Sequence, residues 1–374
     1  MTIPRRRILL TVVLISCAAL IIFGLLVIFA PKPPEGELVL ARQNISEARE
    51  MKADVYCPEL FDRSEEYYDS AMTAWRQENR RFLSTRDYRQ AKTYAQKAAE
   101  IAEKARKEAA SRSVNLKAVL VDRIEALEST IKSIRDLIAF LPLPENVRKE
   151  NSKGILLFNE ACTDYKKKQY QSCQEKIDRA QDYINRSSEF TMNMLTGYFQ
   201  NQPEWNKLAE AAINTSKKDK NYAIIVDKFD RTCLVYYNGK LKHTFEVELG
   251  KNWIGDKRIM GDKSTPEGSY RVIRRLDNGR TKFYKALLLN YPNDDDVRQF
   301  NHEKKNGMLS ETAEIGGLIE IHGEGGKGTD WTDGCIALNN KDMDILYSIT
   351  QTGTSVTIVG SLKPLDEIVS LSNQ

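Results

Sequence analysis

Two side chains in this sequence are spaced for covalent chemistry. His322 closes the run Ile319-Glu320-Ile321 and is followed by Gly323; a glycine-rich stretch then leads to Asp330-Trp331-Thr332-Asp333-Gly334-Cys335-Ile336-Ala337-Leu338. A thiol is mostly protonated at neutral pH, with an ordinary pKa of about 8.5, and needs a base or cation nearby to attack a carbonyl. An imidazole titrates near neutrality, so it can take that proton and return it to a leaving amine. Gly334 allows a sharp turn, after which backbone N–H groups around Cys335 can face the oxygen of a tetrahedral intermediate. A thiol activated in this way is expected to react with a pH profile below that of free cysteine. The competing reading makes Cys335 a small buried residue and His322 a satisfied one, and from the pair alone both stay open.

Other chemistries find less support. The six cysteines (17, 57, 162, 173, 233 and 335) contain no CxxC pair, and the three histidines (243, 302 and 322) do not cluster, so neither a metal site nor a cofactor is expected. The 56 basic and 52 acidic residues are well mixed, with a net charge of only +4. No basic stripe with interleaved aromatics occurs, so nucleic acid is not an expected partner.

Around this pair, β-branched and aromatic residues alternate with polar ones. Strands are expected at 223–227, 233–237, 241–249, 270–273, 285–289, 318–321 and 355–359, with Asn238-Gly239 as a tight hairpin turn and one helix at 341–350. Many short strands separated by turn signals imply a mainly β, sandwich- or barrel-like domain.

The segment from about 220 to 360 resembles the catalytic domain of the L,D-transpeptidase (YkuD-like) family. The resemblance rests on Ile224-Ile225-Val226-Asp227, Val235-Tyr236-Tyr237-Asn238-Gly239, Phe245-Glu246-Val247-Glu248-Leu249-Gly250, and Lys257 with Gly261-Asp262-Lys263-Ser264-Thr265-Pro266-Glu267-Gly268. It continues through Ile321-His322-Gly323, Thr332-Asp333-Gly334-Cys335-Ile336 and Gly353-Thr354-Ser355-Val356. It implies an enzyme acting on peptidoglycan stem peptides. Cys335 would form a thioester at the carbonyl between a diamino acid and a terminal D-residue, and an amine would resolve it into a crosslink or a protein–wall attachment. His322 carries over as base, and the amides of Gly334 and Cys335 as oxyanion donors. Gly323, Trp331, Thr332, Asp333 and Thr265 are substrate-contact candidates, three of them beside a structural reading: Thr265 within a turn, Trp331 packed under the loop, Asp333 a solvated acid. Asp330 and Asp333 are also candidates to orient His322 or a substrate ammonium, beside the reading of both as solvated loop acids. Two departures stand out. Ala337 occupies the place of an arginine common in the family, and the His-to-Thr spacing is shorter than usual. Transfer and hydrolysis both stay open, the hydrolases being a carboxypeptidase, an endopeptidase or a wall-protein-detaching amidase. A sortase would place its histidine far upstream, and papain-like peptidases reverse the order of Cys and His. A non-catalytic envelope scaffold is the alternative from another class.

Upstream, the chain reads as a succession of modules. Residues 1–7, with three arginines, form a cytoplasmic tail; the uncharged run 8–30 is long enough to span a bilayer; 31–36 is a proline-rich linker. That run exceeds a cleaved signal peptide, and the apolar residues after Cys17 argue against lipid attachment there. The charge asymmetry places everything after the span in the periplasm or another extracytoplasmic space. Residues 37–190 are expected to be an α-helical, repeat-like array. Tyr88, Ala91, Ala95, Ala98 and Ala102 share one helix face, and Leu120, Ile124, Leu127, Ile131, Ile134, Ile138 and Leu141 another in the next helix, which Pro142 and Pro144 stop. Tyr170, Cys173, Ile177, Ala180 and Ile184 repeat the first pattern. This array reads either as a spacer or as a surface for an envelope protein partner. Cys162 and Cys173 are either a disulfide pair or packing residues. A connecting segment at 191–218, the catalytic domain at 219–362 and a tail at 363–374 complete the reading.

Overall fold

The computed structural model describes residues 5–277 and 279–371. Eight helices come first: α1 (Arg5–Ile28), α2 (Glu35–Glu50), α3 (Ala53–Tyr56), α4 (Pro58–Asn79), α5 (Arg89–Phe140), α6 (Glu145–Lys166), α7 (Tyr170–Phe199) and α8 (Gln202–Asp219). Within α1, Leu9–Ile28 has a mean hydropathy of 2.9 and no buried residue. At 1.5 Å rise per residue such a helix is long and apolar enough to cross a membrane, as an anchor or as a signal.

The chain divides into two compact units, one running up to Ala126 and including Leu157–Arg179, the other made of Leu127–Leu156 and everything from Ala180. The first unit is held by small side chains. Ala91, Ala95, Ala98, Ala102, Ala105 and Ala109 form a buried stripe on α5, and Ala41, Ile45, Ala48, Phe61 and Ala71 of α2 and α4 are buried with them. Alanine stripes let helix axes approach closely, and each buried methyl removes apolar surface from water. Cys173 is fully buried in the matching place on α7, and it forms no disulfide with Cys162. The two apolar stripes expected on separate helices lie on one helix of 52 residues. No glycine or proline interrupts residues 89–140, so nothing stops the hydrogen-bond ladder before Pro142.

The second unit contains the sheet. Its strands are β1 (Tyr222–Asp227), β2 (Thr232–Tyr237), β3 (Lys240–Glu246), β4 (Gly268–Leu276), β5 (Ala286–Leu289), β6 (Glu320–His322), β7 (Ile336–Ala337) and β8 (Ser355–Val359). They lie in the order β3-β2-β1-β8-β4-β5-β6-β7. Asn238 and Gly239 have φ of 51° and 74°, the left-handed pair that a two-residue β2–β3 hairpin needs. Beyond the edge strand β3, Glu248 bridges to Ala337 and Gly250 to Thr332. The sheet therefore curls until its two ends meet, giving the half-barrel of a mainly β domain. Three further helices, α9 (Asp294–Lys305), α10 (Asn340–Ile349) and α11 (Leu365–Leu371), complete the unit.

Several expectations differ from this outcome. Residues 191–218 are helical, belonging to the end of α7 and to α8, and the 363–374 tail contains α11. Leu318 lies outside β6 with φ of 57°, and the two-residue β7 and the polar α9 carry too few apolar residues to be read by periodicity. Trp205 of α8 packs so closely on Gly360 that a Cβ there would stand 2.2 Å from the indole.

A buried ion pair joins the end of α7, α8 and the sheet. The Lys228 ammonium, fully buried, donates to Gly255 O (2.7 Å), Thr265 O (2.8 Å) and Glu267 Oε1 (2.7 Å). Glu267 also accepts from Tyr198 Oη (2.7 Å) and Trp205 Nε1 (2.9 Å). Removing one partner of such a pair strands a charge away from water. Glu267→Gln is accordingly expected to lower the stability of this unit by about 3 kcal/mol, read as a drop in the urea midpoint of its unfolding transition.

Candidate active site

Strands β6 and β7 run parallel, pairing Ile321 with Ile336 and His322 with Ala337. One step back along this register, Cys335 stands level with Glu320. Side chains alternate across a strand, so Glu320, His322, Cys335 and Ala337 share one face of the sheet. The order of strands thus sets the segments that carry the two residues side by side, although β7 itself was not foreseen.

Three contacts orient the imidazole. His322 is fully buried, and its Nδ1 lies 2.6 Å from Gly323 O, a distance that requires Nδ1 to carry the proton. Nε2 is then the basic nitrogen, and it is buried with no hydrogen-bond partner among the described residues. Phe283 stacks on the ring at 3.5 Å between centroids and 2° between planes. Trp331 meets it edge-on at 5.8 Å. The indole is itself held, because Trp331 Nε1 donates to Glu248 Oε2 (2.7 Å) while Glu248 Oε1 accepts from Gly328 N (2.6 Å). Lys327 Nζ stands 3.2 Å from the Trp331 ring centroid, and Lys282 Nζ 4.9 Å from that of Phe283. Phe283, Glu248, Lys282 and Lys327 carry no signal in the sequence that sets them apart from ordinary strand and loop residues.

The turn before Cys335 is fixed by sterics. Gly334 has φ of 127°, and a Cβ on it would stand 2.6 Å from Ser264 O. Buried Thr332 donates from Oγ1 to Cys335 O (2.7 Å) and accepts from Gly334 N (3.2 Å). The Gly334 amide, expected as an oxyanion donor, is thereby engaged inside the turn. Thr265 is fully buried and accepts from Gly250 N (3.0 Å), which makes it a brace beneath the turn. Gly323 is buried, with no room for a Cβ beside Asn340 Oδ1 at 2.7 Å. Asp333 is exposed, next to Cys335. Asp330 points elsewhere, accepting from Arg231 (2.6 Å) and from Leu249 N (2.8 Å). Ala337 is almost fully buried opposite His322, and the backbone at Gly325 covers it through a bond from Gly325 N to Leu338 O (2.8 Å). The long side chain of an arginine would not fit at this position.

Electrostatics keep both reactive groups neutral. Burial lowers the His322 pKa to about 4, the Gly323 carbonyl partly opposes this, and the fields of Lys282 and Lys327 add to the fall. Burial raises the Cys335 thiol to about 11, against the pull of the Glu320 backbone N–H and with the Glu320 carboxylate adding to the rise. The expectation of a thiol titrating below free cysteine is therefore reversed. The imidazole is fully buried, whereas Cys335 is half-buried and keeps part of its surface open. A cleft of about 600 Å³ is lined by residues that include Asp230, Arg231, Glu246 and Asn339, and neither Cys335 nor His322 lines it.

Residues 221–358 match the YkuD family, the L,D-transpeptidase catalytic domain. The C-terminal part of this chain is an L,D-transpeptidase-type domain. Among solved structures, the helical cell shape determining protein Pgp2 from Campylobacter jejuni is 27% identical, with a TM-score of 0.30, over 41% of this chain and 54% of its own. Bd1075 of Bdellovibrio bacteriovorus is 22% identical, with a TM-score of 0.30, over 41% and 54%. An L,D-transpeptidase from Xylanimonas cellulosilytica is 14% identical, with a TM-score of 0.26, over 37% and 61%. The chain thus spans little more than half the length of the first of these proteins. No curated protein matches it.

Two outcomes are expected from this geometry. Alkylation of Cys335 by iodoacetamide, followed by peptide mass spectrometry, should rise with a midpoint above the ordinary ~8.5 of a free thiol; a midpoint below it would contradict the neutral pair. Gly334→Ala should cost about 2 kcal/mol from the forced φ and the clash with Ser264 O, visible as a lower melting temperature.

Proposed function

We propose that this domain is a cysteine acyltransferase acting on peptidoglycan stem peptides, with Cys335 as nucleophile and His322 as general base. The observation that carries the proposal is the tautomer of His322: Nδ1 is tied to the Gly323 carbonyl, which leaves the buried Nε2 lone pair without a partner on the face that Cys335 shares. Substrate binding would bring a carbonyl against the thiol. The Sγ–H proton then passes to Nε2 as sulfur bonds to carbon, so charge appears only when the carbonyl oxygen can take it up. The Cys335 N–H is the proposed oxyanion donor, since the Gly334 N–H already serves Thr332. Collapse of the tetrahedral intermediate breaks the C–N bond, and the imidazolium proton leaves with the departing D-residue's amine. An incoming amine then attacks the thioester carbonyl, giving its proton through Nε2 to the released sulfur. The product is a crosslink or a protein–wall attachment. Water in place of the amine would make the same site a hydrolase.

The rest of the chain fits this chemistry. With α1 as anchor and the N-terminus in the cytoplasm, the domain from about 219 to 362 would face the wall from the periplasm or another extracytoplasmic space. The helical region would act as spacer or as a surface for an envelope protein, and neither a metal nor an organic cofactor enters the reaction.

The test uses the full chain in detergent with disaccharide-tetrapeptide muropeptides, analysed by mass spectrometry beside Cys335→Ala and His322→Gln. Dimers that vanish with Cys335→Ala are the expected result. His322→Gln should lower the rate by at least about 10²-fold, as expected for loss of a general base. Tripeptides without dimers would move the assignment to a hydrolase. Turnover that survives Cys335→Ala would overturn the mechanism.

A further inference from the structure

One ionisable side chain on the reactive face has no part in the scheme above. Glu320 stands two residues before His322 on β6 and level with Cys335 in the β6–β7 register. Side chains in register on neighbouring strands are close neighbours. The Glu320 backbone N–H and carboxylate both act on the Cys335 sulfur, and Sγ lies 3.7 Å from Leu318 O in the same segment. The carboxyl is half-buried and takes one long hydrogen bond, from Thr281 Oγ1 at 3.4 Å. No cation pairs with it within ion-pair distance among the described residues; Lys282 contributes only a field, its ammonium being placed over the Phe283 ring. The other charged group beside this place is Asp333 on the Cys335 turn. A half-buried carboxylate with so few partners loses solvation without compensation, a cost that a ligand's ammonium would repay.

We propose that Glu320 is a specificity-determining residue that receives a primary alkylammonium group of the ligand next to the Cys335 thiol. The proposal rests on the reading of Cys335 as the reactive residue. What it adds is the residue: Glu320 would receive the side-chain amine that a diamino acid of such a stem peptide carries, on the acyl donor or on the acyl acceptor. Glu320 would hold that amine beside the thioester, and the field of Lys282, which also reaches Glu320 and Cys335, opposes it in part.

The test reads local charge without any wall substrate. The full chain in detergent micelles is treated with a 2-aminoethyl methanethiosulfonate, which is cationic, or with the corresponding sulfonatoethyl reagent, which is anionic. Labelling is followed on the Cys335 peptide alone, so that Cys17 and Cys162 do not contribute. Glu320→Gln should lower the cation-to-anion rate ratio about tenfold, the scale set by one unit charge a few ångström away in a half-buried setting. Glu320→Asp should restore part of it, and Lys282→Met should raise it. A ratio unmoved by Glu320→Gln, with Lys282→Met still effective, overturns the proposal. In a second arm, thioester formation and thioester resolution on muropeptides are timed separately with Glu320→Gln. Loss in formation assigns the amine to the donor, and loss in resolution to the acceptor. If the wild-type chain makes no thioester while the labelling ratio still falls, the acyltransferase reading fails and the ammonium site stands.

Discussion

The parallel pairing of a three-residue strand with a two-residue strand is the constraint on which the site depends. Ladders this short contribute little binding energy of their own. The register of β6 and β7 is held by what surrounds it: Glu248 bridging to Ala337, Thr332 bonded to Leu249 O and Cys335 O, and Gly334 wedged against Ser264 O. A slip of one residue would turn Cys335 away from His322 altogether, because side chains alternate between faces. The glycines and threonines of the turns are therefore selected for backbone geometry.

Enclosure has two effects that pull against each other. It fixes the imidazole between Phe283 and Trp331 and excludes solvent from Nε2, which strengthens any interaction formed in the transition state. It also holds the thiol near 11 and the imidazole near 4, so a resting thiolate–imidazolium pair is disfavoured. Such a site does not store a reactive anion.

The helical character of residues 37–190, the helix at 341–350, most strands and the His322–Cys335 spacing were legible in the sequence because each leaves a local trace: apolar spacing at three and four, alternation, Asn-Gly, or a glycine before a cysteine; α8, α9 and α11 were not. The supports of the site leave none. Glu248 lies 83 residues from the indole it holds, and Phe283 lies 39 residues from the imidazole it covers, so only the fold brings them together. The role of Gly334 was half legible: the need for a turn could be read, but the capture of its amide by Thr332 Oγ1 could not. The thiol's pKa was misjudged for the same reason, since burial is a property of the assembled sheet. The 52-residue α5 was divided in two because its alanine-rich and leucine-rich stripes differ in composition, although nothing in the backbone breaks.

The carboxylate of Glu267 has one further consequence, for modularity. The family-defining segment begins at residue 221, yet Tyr198 and Trp205, upstream of it, donate to Glu267, and the Trp205 indole fills the space over Gly360. The same carboxylate neutralises Lys228, whose ammonium binds the Thr265 carbonyl one residue from the Ser264 oxygen that abuts Gly334. The recognisable catalytic cassette is thus not the heritable one. A recombination event at residue 221 would move the reactive residues without two of the hydrogen-bond donors their scaffold uses. The end of α7 and α8 belong with the sheet, so the packed unit starts inside what the sequence marks only as a connecting segment.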